Sequence, residues 1–366
     1  MKKQLSLSIF MILGLLFVPL AAFAQQRGNE PPDMTVDAKT RTEVIEGVLK
    51  NLNDSYVFPE VAKKIETDVR GRLQNKEYDT ITSAKAFADK LTADLQSVSR
   101  DKHMRVRYSF EPIPARQKRD EPTAEEKEGY RRHLNRINYG FEKIERLPGN
   151  IGYIDFRGFT DAEMGAETVA AAMSFVANTD ALIFDVRQNG GGSPEMVALI
   201  SSYLFGDKPV HLNSLYWREG NRTEDFFTKP IVSGKKYGGK DVYVLTSNRT
   251  FSAAEEFTNN LKSLKRATIV GETTGGGANP GGMFRLNEHF GIFVPTGRAI
   301  NPITKTNWEG TGVKPDVEVP KELALKTAYL MALNKSLEKT KEESMKGALK
   351  KLIEQTQREI DEMKKK

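Results

Sequence analysis

Apolar residues recur at helical spacing three times between residues 38 and 100. Val44, Ile45, Val48, Leu49 and Leu52 form one such face. Ala62, Ile65, Val69 and Leu73 follow Pro59, which suits a first helical position, and Phe87, Leu91, Leu95 and Val98 follow Ser83, a natural cap. The pattern predicts a small helical domain over residues 38–105. His103 to Phe110 is short and β-rich, and Glu111 to Lys127 is charged and holds Pro112, Pro114 and Pro122, so residues 106–145 read as a linker or flap. From Ile151 the period changes. Strands Ile151–Phe156, Ala181–Val186, Val242–Thr246 and Ala267–Val270 alternate with helices Ala162–Val176, Pro194–Leu204 and Ala253–Leu264, with an excursion from Phe205 to Gly239. That order predicts an α/β domain over residues 146–320 with a mainly parallel sheet, its chemistry at the carboxyl ends of the strands. The Gly-rich run Gly271 to Gly282 and strands near Phe284 and Ile292 continue this domain, and residues 321–366 read as a C-terminal helical tail.

Composition narrows the class. Hydrophobic residues make up 39% and charged residues 28% of the 366, which excludes a disordered chain and a multi-span membrane protein. The net charge of +6 is small, and the C-terminal lysines have no aromatics among them to stack on bases, so they read as a solvated helix face with no nucleic-acid partner. Residues 1–24 have the pattern of a signal peptide: Lys2 and Lys3, an apolar stretch from about Leu5 to Leu20, and Ala22-Phe23-Ala24 before Gln25. This predicts export to the periplasm or beyond, a mature chain starting at Gln25, and no stable membrane insertion after cleavage; an uncleaved anchor is the other reading. The chain has no cysteine, which removes disulfides, thiolate metal sites and a cysteine nucleophile. Its four histidines, His103, His133, His211 and His289, form no H-E-x-x-H pair, which argues against a zinc hydrolase.

Three stretches offer chemistry. Ser252 lies where a strand turns into a helix, and a helix N-terminus supplies free N–H groups and a positive dipole end for a developing oxyanion. Ser252-Ala253-Ala254-Glu255 is equally a capping box, so these residues alone leave both roles open. Asp185-Val186-Arg187-Gln188-Asn189-Gly190-Gly191-Gly192 follows a buried strand, and its glycines suit an anion nest or simply a tight turn. No Lys-Ser or Lys-Thr follows them, which excludes a P-loop, and Asp185 with Arg187 reads as a structural ion pair. A serine nucleophile needs a base. His103 sits at a helix-to-strand junction, but position alone favours a surface role for every histidine. Glu309, in Trp308-Glu309-Gly310-Thr311-Gly312-Val313-Lys314-Pro315-Asp316, is either an ordinary loop acid or one that orients an imidazole.

Taken together, DVRQNGGG, TSNRTFSAAEEF, GETTGGG and EGTGVKPD, in this order, resemble the catalytic domain of the carboxyl-terminal processing (tail-specific) serine peptidases. Within them the chain is most similar to the branch of the tricorn core and the interphotoreceptor retinoid-binding protein modules, the likeness covering roughly residues 38–320 and including LTADLQSVSRDKHMRVRYS. The resemblance implies a crotonase-like or ClpP-like α/β core. It matches Ser252 to the nucleophile, His103 to the tricorn-type base and Glu309 to the acid. It also implies an oxyanion hole from the Ala253 N–H and one of the Gly190 to Gly192 run, Gly191 or Gly192. Two positions depart from the family pattern. Gly277 stands where Ser-Lys members carry lysine, and Lys102 stands where tricorn-type members carry the serine that links histidine to acid. The stretch Glu111 to Asn150 is too short for the substrate-binding PDZ domain of many members. The implied function is an exported serine endopeptidase acting on peptide or protein substrates, with no metal or organic cofactor. The alternatives are a hydrophobic-ligand binding module on the same fold, and an acyl-thioester enzyme, which export would separate from acyl-CoA.

Overall fold

The computed structural model describes residues 32–115 and 123–365. The expected signal peptide over residues 1–24, the expected cleavage site before Gln25 and part of the proline-containing loop lie outside the described residues. Helix α1 (Ala38–Ser55) is capped by Asp37, which accepts the Thr40 N–H at 2.7 Å. Helix α2 (Pro59–Gln74) opens on its proline, and α3 (Ala84–Ser99) is capped by Ser83, whose Oγ accepts the Ala86 N–H at 3.0 Å. At the end of α3 Arg100 takes a left-handed conformation and turns the chain through Asp101 to His103 into β1 (Arg105–Tyr108).

After α4 (Ala124–Arg136) come β2 (Phe141–Leu147), β3 (Ile151–Phe156), α5 (Ala166–Val176), β4 (Ala181–Asp185) and α6 (Pro194–Leu204). The hairpin β5 (His211–Trp217) and β6 (Arg222–Phe227) precedes β7 (Asp241–Thr246), α7 (Ala253–Ser263) and β8 (Thr268–Gly271). Strands β9 (Gly281–Arg285), β10 (Phe290–Pro295), β11 (Gly297–Ile300) and β12 (Val317–Glu318) lead to α8 (Lys321–Lys339) and α9 (Glu343–Met363).

The central sheet runs β12-β8-β7-β4-β3-β2, with every neighbouring pair parallel except β2 and β3. All five residues of β4 are buried, as a central parallel strand covered on both faces requires. Leu182 and Phe184 point into one layer with Val169, Val197 and Phe257 of α5, α6 and α7. Ile183 points the other way, against Ala324, Ala328 and Leu333 of α8. The C-terminal segment is therefore no appendage. Helix α8 closes the second face of the sheet, and α9 packs beyond it through Leu349 and Ile360.

The boundary of the α/β unit also differs from the expected one, because β2 starts at Phe141, inside the segment read as a linker. A bulge between Phe141 and Lys143 breaks the two-residue alternation that would have marked it. The excursion before β7 is the β5–β6 hairpin, which β11 extends into a three-stranded sheet.

The helical domain is sewn to the core. Strand β1 pairs antiparallel with β10, and the apolar faces of α1 to α3 bury Phe290, Ile292 and Val294 of β10 in one cluster. This pairing carries the turn holding His103 across to the loops that leave the carboxyl ends of β4, β7 and β8. Among the described residues no helix is long and apolar enough to cross a membrane.

Candidate active site

Ser252 has φ 55° and ψ −124°, a region that a residue with a Cβ enters only under strain. A serine on a sharp strand-to-helix turn of this kind has its hydroxyl raised clear of the helix it precedes. The turn is held from two sides. The Phe251 N–H donates to the Asn189 carbonyl at 3.1 Å, and the Ser252 N–H donates to Glu255 Oε2 at 3.0 Å. The second bond is half of the capping box read from sequence, yet Glu255 does more than cap. Its fully buried carboxylate also accepts the N–H groups of Gly276 at 2.6 Å and Gly277 at 2.8 Å and the Thr274 hydroxyl. One side chain thus ties the Ser252 turn to the Gly-rich loop after β8. Burial pushes its pKa up, against the pull of these four donors.

The loop after β4 abuts the same turn. Gly191 has φ 106°, and a Cβ there would lie 2.6 Å from Ser252 Cβ and 2.9 Å from the Ala253 nitrogen, so only glycine permits the approach. The Gly191 N–H is committed to Asn189 Oδ1 at 2.9 Å. The Gly192 N–H has no partner among the described residues, and the Ala253 N–H, at the first position of α7, has no intrahelical acceptor. Of the two glycines expected as oxyanion donors, Gly192 is the one with a free hydrogen, while Gly191 supplies closeness.

His103 is carried in by the turn before β1. Its ring packs against Phe251, with centroids 4.6 Å apart, and nearly parallel to Phe293 of β10 at 5.7 Å. A Cβ on Gly277 would come within 2.7 Å of the imidazole, so the departure from lysine at this position makes room for the ring. Burial, helped by the charge of Arg105, lowers the imidazole pKa to about 4. Its Nδ1 is buried without a partner, and no hydrogen bond joins the ring to Ser252, although it touches the residue immediately before it. Glu309 Oε2 accepts the N–H groups of Ala278 at 2.6 Å and Asn279 at 3.1 Å, whereas Oε1 is buried and unpartnered. Burial first, then the neighbouring charge of Asp101, pushes Glu309 up to about 8.

Asp101 completes the group and was not among the residues singled out from sequence. It is fully buried, accepts from Asn279 Nδ2 at 2.8 Å, Tyr56 Oη at 3.3 Å and the His103 N–H at 3.0 Å, and has its pKa raised by burial. Polar atoms of Asp101, His103 and Glu309 all lie within 4.8 Å of one another. Such a nitrogen and carboxylate set suits a divalent cation in kind. Lys102 turns away to donate to the Gly275 carbonyl at 2.6 Å, so its side chain does not bridge His103 to Glu309.

The sequence comparison covers this same architecture. Residues 150–319 match peptidase family S41, and residues 36–135 match the N-terminal domain of peptidase S41 in eukaryotic IRBP. The core is a peptidase family S41 domain. Among relatives, carboxyl-terminal-processing peptidase 2 of Arabidopsis thaliana chloroplasts is 30% identical over 192 residues, covering 50% of this chain and 36% of its own. The carboxy-terminal-processing protease of Bartonella bacilliformis is 26% identical over 214 residues, 56% of this chain and 48% of its own. The chain thus spans less than half the length of these relatives. A solved Parabacteroides merdae structure overlays with TM-score 0.57 at 19% identity, covering 80% of this chain and 96% of its own. A Streptococcus agalactiae lipoprotein does so with TM-score 0.52 at 16% identity, covering 84% and 98%. These two likenesses speak for the fold alone. Within the S41 domain, Asp185 and Arg187 form the ion pair expected of them, Nε to Oδ1 2.8 Å, with Tyr153 Oη donating to the same carboxylate at 2.8 Å.

Proposed function

We propose that the chain is an exported serine peptidase that hydrolyses peptide bonds through an acyl-enzyme on Ser252. The observation that carries this reading is the strained Ser252 turn, set beside the two unpaired N–H groups of Gly192 and Ala253. Ser252 Oγ attacks the carbonyl carbon, its proton passes to His103, and the oxyanion is held by the two N–H groups. His103 then returns the proton to the leaving amine, and water releases the acyl group by the reverse sequence. Burial keeps the imidazole neutral at neutral pH, so its lone pair is available, and Asp101 and Glu309, whose polar atoms lie within 4.8 Å of the ring, stand beside the imidazolium as it forms. Contact between His103 and Ser252 is made as substrate binds, since catalytic hydrogen bonds often tighten only then. Export rests on the pattern of residues 1–24.

The cavity that opens beside Ser252 measures about 40 Å³, too small to hold a retinoid-sized ligand at that residue. The test is peptide hydrolysis by the purified mature chain with Ser252→Ala and His103→Ala. Turnover should fall to background in the first and by about 10²- to 10⁴-fold in the second. Hydrolysis by a folded Ser252→Ala variant at the wild-type rate would refute the assignment.

A further inference from the structure

The helix that follows Ser252 also carries an acidic side chain that acyl transfer leaves without a task. Glu256 stands one turn beyond Ser252, on the same face of α7. It is 5% exposed, and its Oε1 is buried with no hydrogen-bond partner. It lines the cavity of about 40 Å³ beside Ser252, whose other walls include Gly192, Leu215, Ala278, Ala299 and Trp308. Among these walls Glu256 alone carries a carboxyl. Two further amides stand by it, Asn213 of β5 and Asn260 of α7, both wholly buried and near enough to draw on the carboxyl, while its Oε1 stays without a hydrogen bond. Burial pushes the Glu256 carboxyl up to about 8, against the pull of these amides, so at neutral pH it is protonated and can both donate and accept.

We infer that Glu256 is the floor of the pocket for the residue on the acyl side of the scissile bond, and that this pocket selects serine. The inference rests on the reading of Ser252 as the acylated residue. Two constraints meet in it. The space holds a few water molecules at most, so a lysine, arginine or aromatic side chain does not fit. The carboxyl needs a polar partner, because a buried polar group left unpaired is costly to the complex. A hydroxymethyl group satisfies both. An alanine methyl leaves room for water to stay on the carboxyl, whereas an ethyl group of about the same size as the serine side chain displaces that water and gives nothing back.

The experiment uses peptides identical except at this one position, carrying serine, alanine, 2-aminobutyrate or lysine, with cleavage sites read by mass spectrometry. Serine should exceed 2-aminobutyrate in kcat/KM by about tenfold or more, and the lysine peptide should not be cut there. Glu256→Met, of similar volume, should reverse the serine to 2-aminobutyrate order. Glu256→Gln, which still donates and accepts, should keep it and serves if the methionine variant does not fold. The ratio within one variant does not depend on how much of it is active. Fluorophosphonate labelling of Ser252 in the wild type separates the two ways of failing. If Ser252 labels and the peptides are cut without a serine preference, or if Glu256→Gln loses that preference, the inference falls alone. If Ser252 does not label and no peptide is cut, the peptidase reading falls and takes the inference with it.

Discussion

Replacing Glu255 by glutamine keeps the size of the side chain but exchanges one acceptor oxygen for a donor. In the protein, one oxygen takes the Ser252 and Gly277 N–H groups and the other takes the Gly276 N–H and the Thr274 hydroxyl. Whichever way the amide turns, at least one buried backbone N–H then faces another N–H. An unsatisfied buried donor costs about 1–3 kcal/mol, and the surviving bonds lose their charge assistance, roughly 1 kcal/mol more. The strain at Ser252, about 1–3 kcal/mol, pushes in the opposite direction, because a freed turn can relax. With part of that strain released, the net loss is about 1–3 kcal/mol, or a melting point lowered by roughly 2–12 °C for a domain of this size. Relaxation recovers stability at the expense of the hydroxyl's orientation, so reactivity should fall by more than folding does. The assay pairs calorimetric melting with the rate of fluorophosphonate labelling, measured well below the transition where the variant is fully folded. Labelling should slow at least about tenfold, the loss of about 1.4 kcal/mol of positioning. A Glu255→Gln protein that melts within about 1 °C of the wild type and labels at its rate would refute the claim that this carboxylate holds the turn.

Glu309 gives a prediction with a definite sign in pH. Its carboxyl titrates near 8 in the folded chain against an ordinary value of 4.5, so the native state holds the proton more tightly, and its stabilising effect, complete below about 4.5, is lost as pH rises through 8. Urea unfolding of Glu309→Gln between those limits should show a shallower alkaline decline than the wild type, and parallel declines would contradict it. His103 acts on the acid side: its folded pKa of about 4 lies below the ordinary 6.5, so its contribution is present above 6.5 and is lost as pH falls towards 4. That limb should vanish in His103→Ala, and its persistence would place the acid sensitivity elsewhere. Sequencing of the exported protein should begin at Gln25, and a mature chain retaining Met1 would end the export reading.

Legibility in the sequence followed the locality of each signal. Helices α1 to α3 could be read because their apolar spacing repeats and Pro59 and Ser83 start the second and third of these segments, and β4 because its five buried residues are consecutive. Strand β5 escaped notice since buried Asn213 and Ser214 sit between Leu212 and Leu215 and hide the alternation. The pairing of β1 with β10 joins residues far apart in the chain and leaves no local mark, yet it is what brings His103 to Phe251. Ser252 was legible as a serine between strand and helix. Asp101, Glu256 and the burial of Glu255 were not: Glu255 and Glu256 in the first turn of α7 look like surface acids that suit the dipole, Asp101 looks like an ordinary turn acid after α3, and the burial of all three is decided by tertiary packing. Motif matching pointed to either Gly191 or Gly192 as a donor, whereas the Asn189 side chain, fixed by its bond to the Phe156 carbonyl, takes the hydrogen of Gly191.

The central claim is that Ser252 is the residue that becomes acylated. The most direct measurement is mass spectrometry of the mature chain after reaction with a fluorophosphonate, with the adduct mapped by peptide sequencing in the wild type, Ser252→Ala and His103→Ala. The account predicts one adduct, on Ser252, absent from Ser252→Ala and formed about 10²-fold or more slowly in His103→Ala. An adduct on another serine, or unchanged labelling when Ser252 is alanine, would contradict it.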